Sequence, residues 1–322
     1  LVIAAPQASV AEYFRAVNLP VFDTELQAVH ALAQLIAHQS LLAKLDQGRA
    51  AVQAQDDARR WQTSVSPQWA AERSGLMPLC LNEADSLALL KVCGIEVVPH
   101  RLVHSLDEAL AWSEDFRSKQ VDAQFVLKGC SAEVQHKSEL GLVRLHLQSV
   151  QAICEAYTDL LHQAAKAGIR LDGLLIAQHI RARREVMIGA RNDPVFGTII
   201  VAGDGGLYVE AMQDAVVMLA PFDERSISER LRQLRIAPLF DGIRGEPALD
   251  IAAWVRQIQS VAQTMEAAES TSGDSSEAPS SRQLISLDLN PLMLGAAGEG
   301  CIAVDALIWI YGMAAVDRSS GA

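Results

Sequence analysis

The most informative stretch of the sequence lies between residues 125 and 138 and reads Phe125-Val126-Leu127-Lys128-Gly129-Cys130-Ser131-Ala132-Glu133-Val134-Gln135-His136-Lys137-Ser138. Its apolar start predicts a strand that ends at Lys128 and is followed by a loop. A lysine at the end of a strand is held on a rigid element and can present its ammonium group to a phosphate. The loop adds a histidine and a second lysine, which suit contact with an anion. The alternative is an ordinary solvated loop after a strand-end lysine.

Strands and helices alternate around this stretch, which indicates an α/β subdomain over residues 81–172. The predicted helices there are a segment capped by Asn82 and ending at Leu90, Ser105–Phe116 and Val150–Ala167, and the predicted strands are Ile95–Val98, Val121–Lys128 and Val143–Leu147.

Residues 173–322 are richer in predicted strands and form the second expected subdomain. These strands are Leu174–Gln178, Glu185–Arg191, Thr198–Ala202, Ala215–Leu219, Leu284–Asn290 and Ile302–Ile308, with helices near 226–235 and 249–267. Residues 268–283 are rich in Ser, Ala and Glu, which is typical of a disordered surface insertion. We therefore predict an α/β (α+β) fold of two subdomains.

The first 80 residues contain less regular structure. Residues 1–45 predict a short strand and two helices, too little for a core of their own, so we expect a remnant of an α/β domain. Residues 46–75 are polar and carry charges of both signs, and we expect a linker over residues 46–80. Leu1 already lies in a strand-like run, and we expect that something precedes it.

Composition excludes several classes of function. The chain has 322 residues, of which 50% are hydrophobic and 20% charged, with a formal net charge of -12. This balance supports a buried core, whereas the acidic charge disfavours general binding of nucleic acid. No apolar run is long enough to cross a membrane, and the five cysteines are scattered. We expect a cytoplasmic protein with neither a nucleic-acid nor a membrane partner.

A second candidate region surrounds Glu185. Period-two spacing places Glu185, Met187, Gly189 and Arg191 on one face of a strand. A carboxylate beside a glycine could accept hydrogen bonds from the ribose of a nucleotide, although a solvated surface hairpin gives the same pattern. A third region, Gly205-Gly206 followed by Glu210 and Asp214, allows close backbone approach to a ligand but also fits a plain turn.

A fourth region suits a metal ion. Alternation places Asp288 and Asn290 on one face of a strand, with Ile285, Leu287 and Leu289 on the other. A hairpin after Pro291 can return Asp305 to the side of Asn290. Carboxylate and amide oxygens are suited to Mg²⁺ held together with substrate phosphates. A chance polar face is the alternative.

Together and in this order, the four regions resemble the ATP-grasp domain of NDP-forming acyl-CoA synthetases, relatives of the succinyl-CoA synthetase β subunit. The resemblance runs from about Leu81 to Ile310 and implies an ATP-grasp fold. The segment Leu19-Pro20-Val21-Phe22 with the helix after it resembles the C-terminal tail of the family's flavodoxin-like CoA-ligase domain.

The resemblance also implies roles for individual residues. Lys128 would contact the nucleotide phosphates, Glu185 the ribose, and the backbone at Gln178, His179 and Ile180 the adenine edge. Gly205, Gly206 and Glu210 would complete the nucleotide site, and Asp288, Asn290 and Asp305 would hold Mg²⁺. His136 is similar to a relaying phosphohistidine, and the lysines, including Lys137, would neutralise charge during phosphoryl transfer.

The function implied by the resemblance is the conversion of an acid, CoA and ATP to acyl-CoA, ADP and phosphate. The cofactors would be ATP and Mg²⁺, with CoA bound by a CoA-ligase domain in cis or in a separate subunit, and the substrate a small carboxylic acid. The sequence departs from the family pattern at Ala132, Leu142 and Leu307. The altered loop around Leu142 motivates an alternative, a non-catalytic nucleotide-sensing or scaffold module. An ATP-grasp carboxylate–amine ligase ranks lower, because it would lack the His136-Lys137-Ser138 loop.

Overall fold

The chain divides into two units, Leu1–Gln53 and Ala54–Ala322. The computed structural model describes residues 3–4, 8–51, 76–134, 137–193, 195–206, 213–270 and 284–313. In this part of the chain, no helix is both long and apolar enough to cross a membrane.

The first unit consists of β1 (Ile3–Ala4), α1 (Ala8–Ala16), β2 (Val21–Phe22) and α2 (Glu25–Ala51). The two strands pair in parallel, with Ile3 opposite Val21. Helix α2 continues past residue 45, where the sequence places the end of the first segment. The relation of this unit to a CoA-ligase domain stays a prediction.

The second unit contains all the candidate site residues. In chain order its elements are β3 (Leu76–Cys80), α3 (Glu83–Val92), β4 (His100–Val103), α4 (Leu106–Lys119), β5 (Phe125–Cys130), β6 (Val143–Leu147), α5 (Val150–Lys166), β7 (Gly173–Gln178), β8 (Arg184–Asp193), β9 (Gly197–Asp204), β10 (Ala215–Leu219), α6 (Glu224–Leu231), a 3₁₀ turn (Ala237–Leu239), α7 (Ile251–Ser270), β11 (Leu284–Leu294), β12 (Cys301–Ala303) and β13 (Leu307–Met313).

The smaller sheet is antiparallel, with the strand order β4-β7-β5-β6. All six residues of β5 are buried, because this strand is covered on both faces. Phe125 and Leu127 pack with helices α4 and α5 in one core. Cys130 belongs instead to the core that includes the larger sheet. Alternation along the strand therefore turns Lys128, two residues before Cys130, towards the larger sheet.

The larger sheet has seven antiparallel strands in the order β10-β9-β8-β11-β13-β3, with β12 paired to β11. Apolar side chains on one face, such as Ile188 and Leu289, join α7 residues Trp254 and Ile258 in the core. In β8 the buried residues alternate with Glu185, Met187, Gly189 and Arg191, as the spacing predicted. The face opposite the helices is thus the one that carries the candidate polar residues.

Most predicted strands are present, but two are wrong. The run Ile302–Ile308 is not one strand, because residues 304–306 interrupt it between β12 and β13. Ile95–Val98 contributes only a single bridge, from Val97 to Ala303, and strand β4 begins after it. A strand within the predicted linker, β3, pairs with β13.

The predicted face of β11 needs one correction. A register shift between Leu284 and Ser286 takes Ile285 off the face that carries Leu287 and Leu289. Most of the predicted insertion, residues 271–283, lies outside the described residues.

Candidate functional site

Lys128 lies where the smaller sheet meets the larger one. Its Nζ donates hydrogen bonds to Glu83 Oε1 at 2.6 Å and to the carbonyl oxygen of Val304 at 2.8 Å. Asp305 Oδ2 is 3.7 Å from the same nitrogen. The interruption between β12 and β13 therefore brings Asp305 to the strand-end lysine.

Lys137 joins the same group of charges. Its Nζ donates to Glu83 Oε2 and lies 4.0 Å from Asp305 Oδ1. The side chain of Glu83 is fully buried, at 0% exposure, whereas that of Asp305 is 36% exposed. Two ammonium groups thus meet one buried carboxylate and one partly exposed carboxylate.

The surrounding charges and burial shift the pKa values of Glu83 and Asp305 in opposite directions. Burial alone would raise the pKa of Glu83, but the charges of Lys128 and Lys137 lower it below its usual value. Burial alone would lower the pKa of Lys128, but the charges of Glu83 and Asp305 raise it. Burial and the charge of Glu83 raise the pKa of Asp305. A further cation beside Asp305 would therefore stabilise the charged form of this carboxylate.

The metal candidates lie on the same side of the sheet. Burial, together with the charge of Asp305, raises the pKa of Asp288, so the two carboxylates are close enough to repel each other. Asn290 Oδ1 accepts a hydrogen bond from the Gly206 N–H at 3.1 Å. This set of oxygen donors fits Mg²⁺, which usually takes one or two carboxylates and completes its shell with waters and phosphates. No group of three or more His, Cys, Asp or Glu among the described residues could hold a metal ion.

The glycine pair lies between Glu185 and Asn290. The Gly205 N–H donates to the carbonyl oxygen of Glu185 at 3.0 Å. Gly206 has a φ of +79°, and a Cβ there would lie 2.1 Å from Glu185 Oε2. The turn therefore needs glycine both for its backbone conformation and for the approach of the Glu185 carboxylate.

Gln178, His179 and Ile180 lie at the end of β7. Gln178 pairs with Phe125 and Leu175 with Lys128, so this end lies roughly 10 Å along the sheet from the lysine. The His179 ring packs on that of His146, with centroids 4.3 Å apart.

Burial lowers the pKa of His179, as do the charges of His146 and Arg181. Within the described residues, His179 Nδ1 and Gln124 Oε1 are buried without a hydrogen bond. These two atoms are buried, and the contact of the backbone at residues 178–180 with a base stays a prediction.

The structure brings most, but not all, of the predicted residues together. His136 and Glu210 lie outside the described residues, and their roles stay predictions. Glu83 was not predicted, because an acid directly after a capping asparagine is typical of any helix start. Asp214 accepts from the backbone N–H groups of Arg235 and Ile236 at 2.8 and 3.0 Å, which gives it a structural role.

A family model described as an ATP-grasp domain matches residues 77–310. Trans-feruloyl-CoA synthase from an unknown prokaryotic organism is 31% identical over 239 residues, which are 74% of this chain and 31% of that protein. The acetate–CoA ligase (ADP-forming) II subunit beta from Pyrococcus furiosus is 28% identical over 232 residues, which are 71% of this chain and 91% of that subunit. The chain thus spans about a third of the synthase and most of the subunit.

Among solved structures, the chain is similar to the dinucleotide-forming acetyl-coenzyme A synthetase 1 of Ca. Korarchaeum cryptofilum in complex with coenzyme A, Ca-AMPCP and HgCl⁺. The TM-score is 0.61 and the sequence identity 26%, over 71% of this chain and 93% of that chain.

Proposed function

The chain belongs to the ATP-grasp domain family, and from this premise we propose that it is the nucleotide-binding part of an ADP-forming acyl-CoA synthetase. The family and the ATP-grasp fold predicted from the sequence are confirmed. The proposed reaction joins a small carboxylic acid to CoA while ATP is converted to ADP and phosphate. Relatives named as ADP-forming acetate–CoA ligases support this choice.

One observation carries the proposal. The Lys128 ammonium lies 3.7 Å from Asp305, and burial together with the charge of Asp305 raises the pKa of Asp288. A fixed cation beside two carboxylates that repel each other suits a phosphate chain bound together with Mg²⁺. The end of β7, roughly 10 Å away along the sheet, suits the base of the same nucleotide.

The residues of the chain have distinct proposed roles. Lys128 and Lys137 bind and orient the phosphates, Glu185 holds the ribose, and Asp288, Asn290 and Asp305 would hold Mg²⁺. When bound, Mg²⁺ supplies charge neutralisation on the phosphate oxygens. His136 is the proposed acceptor: a ring nitrogen forms a bond to the γ-phosphorus while the bond to the ADP oxygen breaks. The phosphoryl group then leaves His136 for the CoA-ligase part.

The partner is part of the proposal. Two relatives from Pyrococcus furiosus that match this chain over 91% and 90% of their own length are β subunits. We expect CoA and the acid to bind a CoA-ligase part, either in the same polypeptide or in a separate subunit. The scattered cysteines favour a cytoplasmic setting.

Calorimetry with Mg-ATP tests the nucleotide site. We expect the chain to bind Mg-ATP, and Lys128→Met and Asp305→Asn each to weaken binding at least about tenfold, because a charge-assisted contact is lost. Lys119→Met, which removes an exposed lysine paired with Asp115, is the control. Unchanged affinity in both site variants would remove the assigned site.

Labelling with [γ-³²P]ATP in the presence of a CoA-ligase partner separates the ligase from the scaffold alternative. We expect label on His136 and none in His136→Asn. Absence of label from a chain that binds Mg-ATP would favour the scaffold.

Leu142, which motivates that alternative, is fully buried in the core of the smaller sheet and is accommodated there.

A further inference from the structure

Glu83 connects two lysines that both lie far from it along the chain. It lies 45 residues before Lys128 and 54 residues before Lys137, and each of its oxygens accepts from one of them. Glu83 itself is fixed at the start of α3, where Asn82 accepts from the Asp85 N–H at 2.9 Å. Leu87 and Leu90 anchor this helix in the core that includes the larger sheet.

The two ammonium groups would repel each other without this carboxylate. Both lysines are buried, at 8% exposure each. Like charges that are largely removed from water interact strongly, because water no longer screens them. Lys128 is on a strand, whereas Lys137 is on a loop. Loss of the shared carboxylate would therefore displace Lys137 in preference to Lys128.

The contacts leave both lysines with bonding capacity. An ammonium group has three N–H donors. Lys128 uses one on Glu83 and one on the carbonyl oxygen of Val304. Glu83 thus holds each lysine without consuming its capacity to donate to a further acceptor near Asp305.

We propose that Glu83 is a positioning residue, whose buried carboxylate holds the ammonium of Lys137 beside that of Lys128 at the edge of the nucleotide site. The assignment of a nucleotide to this site rests on the proposed function, whereas the placement of the lysines can be tested without it. Glu83 acts through the two lysines and is not itself a phosphate ligand, because a carboxylate would repel the phosphate.

Amine labelling followed by peptide mass spectrometry tests the placement directly. At one fixed pH, we expect Lys137 to be protected in the unaltered chain and to react at least about fivefold faster in Glu83→Gln, because the lysine leaves its buried position. The control is Asp85→Asn, which removes an exposed acid from the same first turn of α3. Equal protection of Lys137 in all three proteins would overturn the inference.

Calorimetry with Mg-ATP tests the consequence for the site. We expect Glu83→Gln to bind about tenfold more weakly and Asp85→Asn to bind unchanged. If the unaltered chain binds no Mg-ATP, the proposed function fails, while the labelling result still decides the inference. If it binds and Glu83→Gln binds equally well, the positioning role is overturned.

A double-mutant cycle covers the case in which Glu83→Gln folds poorly. In a Lys137→Met variant, only one ammonium group contacts residue 83. Adding Glu83→Gln to this variant should therefore lower the unfolding midpoint less than adding it to the unaltered chain. Equal decreases in the two backgrounds would mean that Glu83 does not hold the lysines together.

Discussion

At the scale of single residues, Gly206 links backbone conformation to the placement of Glu185. Both Gly206 and Gly245 have positive φ, +79° and +88°, but only the Cβ of an alanine at 206 would meet another group, Glu185 Oε2. We predict that Gly206→Ala and Gly245→Ala each lower the free energy of unfolding by about 1–2 kcal/mol, the cost of a left-handed residue with a Cβ. Only Gly206→Ala should also weaken Mg-ATP binding, because it displaces the Glu185 carboxylate.

Denaturant unfolding measures the predicted loss of stability in both glycine variants, and calorimetry measures their affinity for Mg-ATP. Gly245 is the matched control, since a Cβ at that position would have no heavy atom within 4 Å beyond its chain neighbours. Equal nucleotide affinity in the two variants would show that Glu185 does not contact the ligand.

For Asp288 we predict opposite effects on two quantities: its removal should increase stability without Mg²⁺ and weaken the binding of Mg-ATP. Its pKa is raised by burial and by Asp305, so its charge destabilises the folded chain at neutral pH. We expect Asp288→Asn to raise the free energy of unfolding by a few tenths of a kcal/mol without Mg²⁺. The gain is small because the neighbouring groups remove only part of the water around this side chain, whose surface is still exposed and screened. The variant should lose most of the stabilisation that Mg-ATP gives the unaltered chain.

The sign of the pH dependence follows from the raised pKa. The increase in the free energy of unfolding that Asp288→Asn gives should be present above the pKa of Asp288. It should disappear as the pH falls through that pKa, because protonated Asp288 no longer repels Asp305. Thermal unfolding at several pH values, with and without Mg-ATP, measures both effects. Asp122→Asn, in an exposed turn, is the control. A Mg-ATP effect retained in full by Asp288→Asn would contradict its role as a ligand.

At the scale of elements, Asp214 joins the start of β10 to the segment after α6. It is buried and accepts two backbone N–H groups, from Arg235 and Ile236. We predict that Asp214→Ala lowers the free energy of unfolding by about 3 kcal/mol, because both donors lose their acceptor. Asp214→Asn should cost less, since its amide oxygen can still accept.

Denaturant unfolding of the two Asp214 variants measures this difference, and calorimetry of the folded fraction should show unchanged Mg-ATP affinity. A loss of affinity in folded Asp214→Asn would instead give this residue a place in the nucleotide site.

The elements that the sequence predicted well are those with strong local signals. Strands β6 and β10 have the predicted bounds, and Asn82 caps α3 as predicted. The break at Asp305 was missed, because apolar residues flank it on both sides and a local pattern cannot show that the chain leaves the sheet there. Strand β3 was missed because it contains Pro78. Proline is tolerated on an edge strand, but it argues against a strand when the sequence does not show which strand would pair with it.

At the scale of the whole molecule, the sequence predicted the residue types of the site better than their contacts. Lys128, Lys137 and Asp305 were each singled out, and the structure brings them together. Glu83, which joins the two lysines, lies far from both in sequence and looks like an ordinary first-turn acid. Only the packing of α3 between the two sheets gives it that position, and no local pattern reports such packing.

The division of the chain also predicts which part is sufficient for nucleotide binding. All candidate site residues lie in the unit Ala54–Ala322. We therefore expect a fragment of residues 54–322 to bind Mg-ATP within about twofold of the full chain, a difference of less than about 0.5 kcal/mol. A fragment of residues 81–322 is the matched comparison, because it also lacks β3, the edge neighbour of β13.

Loss of β3 leaves β13 as an unpaired edge, and residues Ile308 and Ile310 of that strand belong to the core. The shorter fragment should therefore unfold at least about 5 °C below the longer one, as expected for a loss of roughly 2 kcal/mol in a chain of this size. Thermal unfolding and calorimetry on the full chain and both fragments provide the measurements. If the longer fragment loses Mg-ATP binding, residues 1–53 contribute to the site, and the nucleotide site is not confined to the second unit.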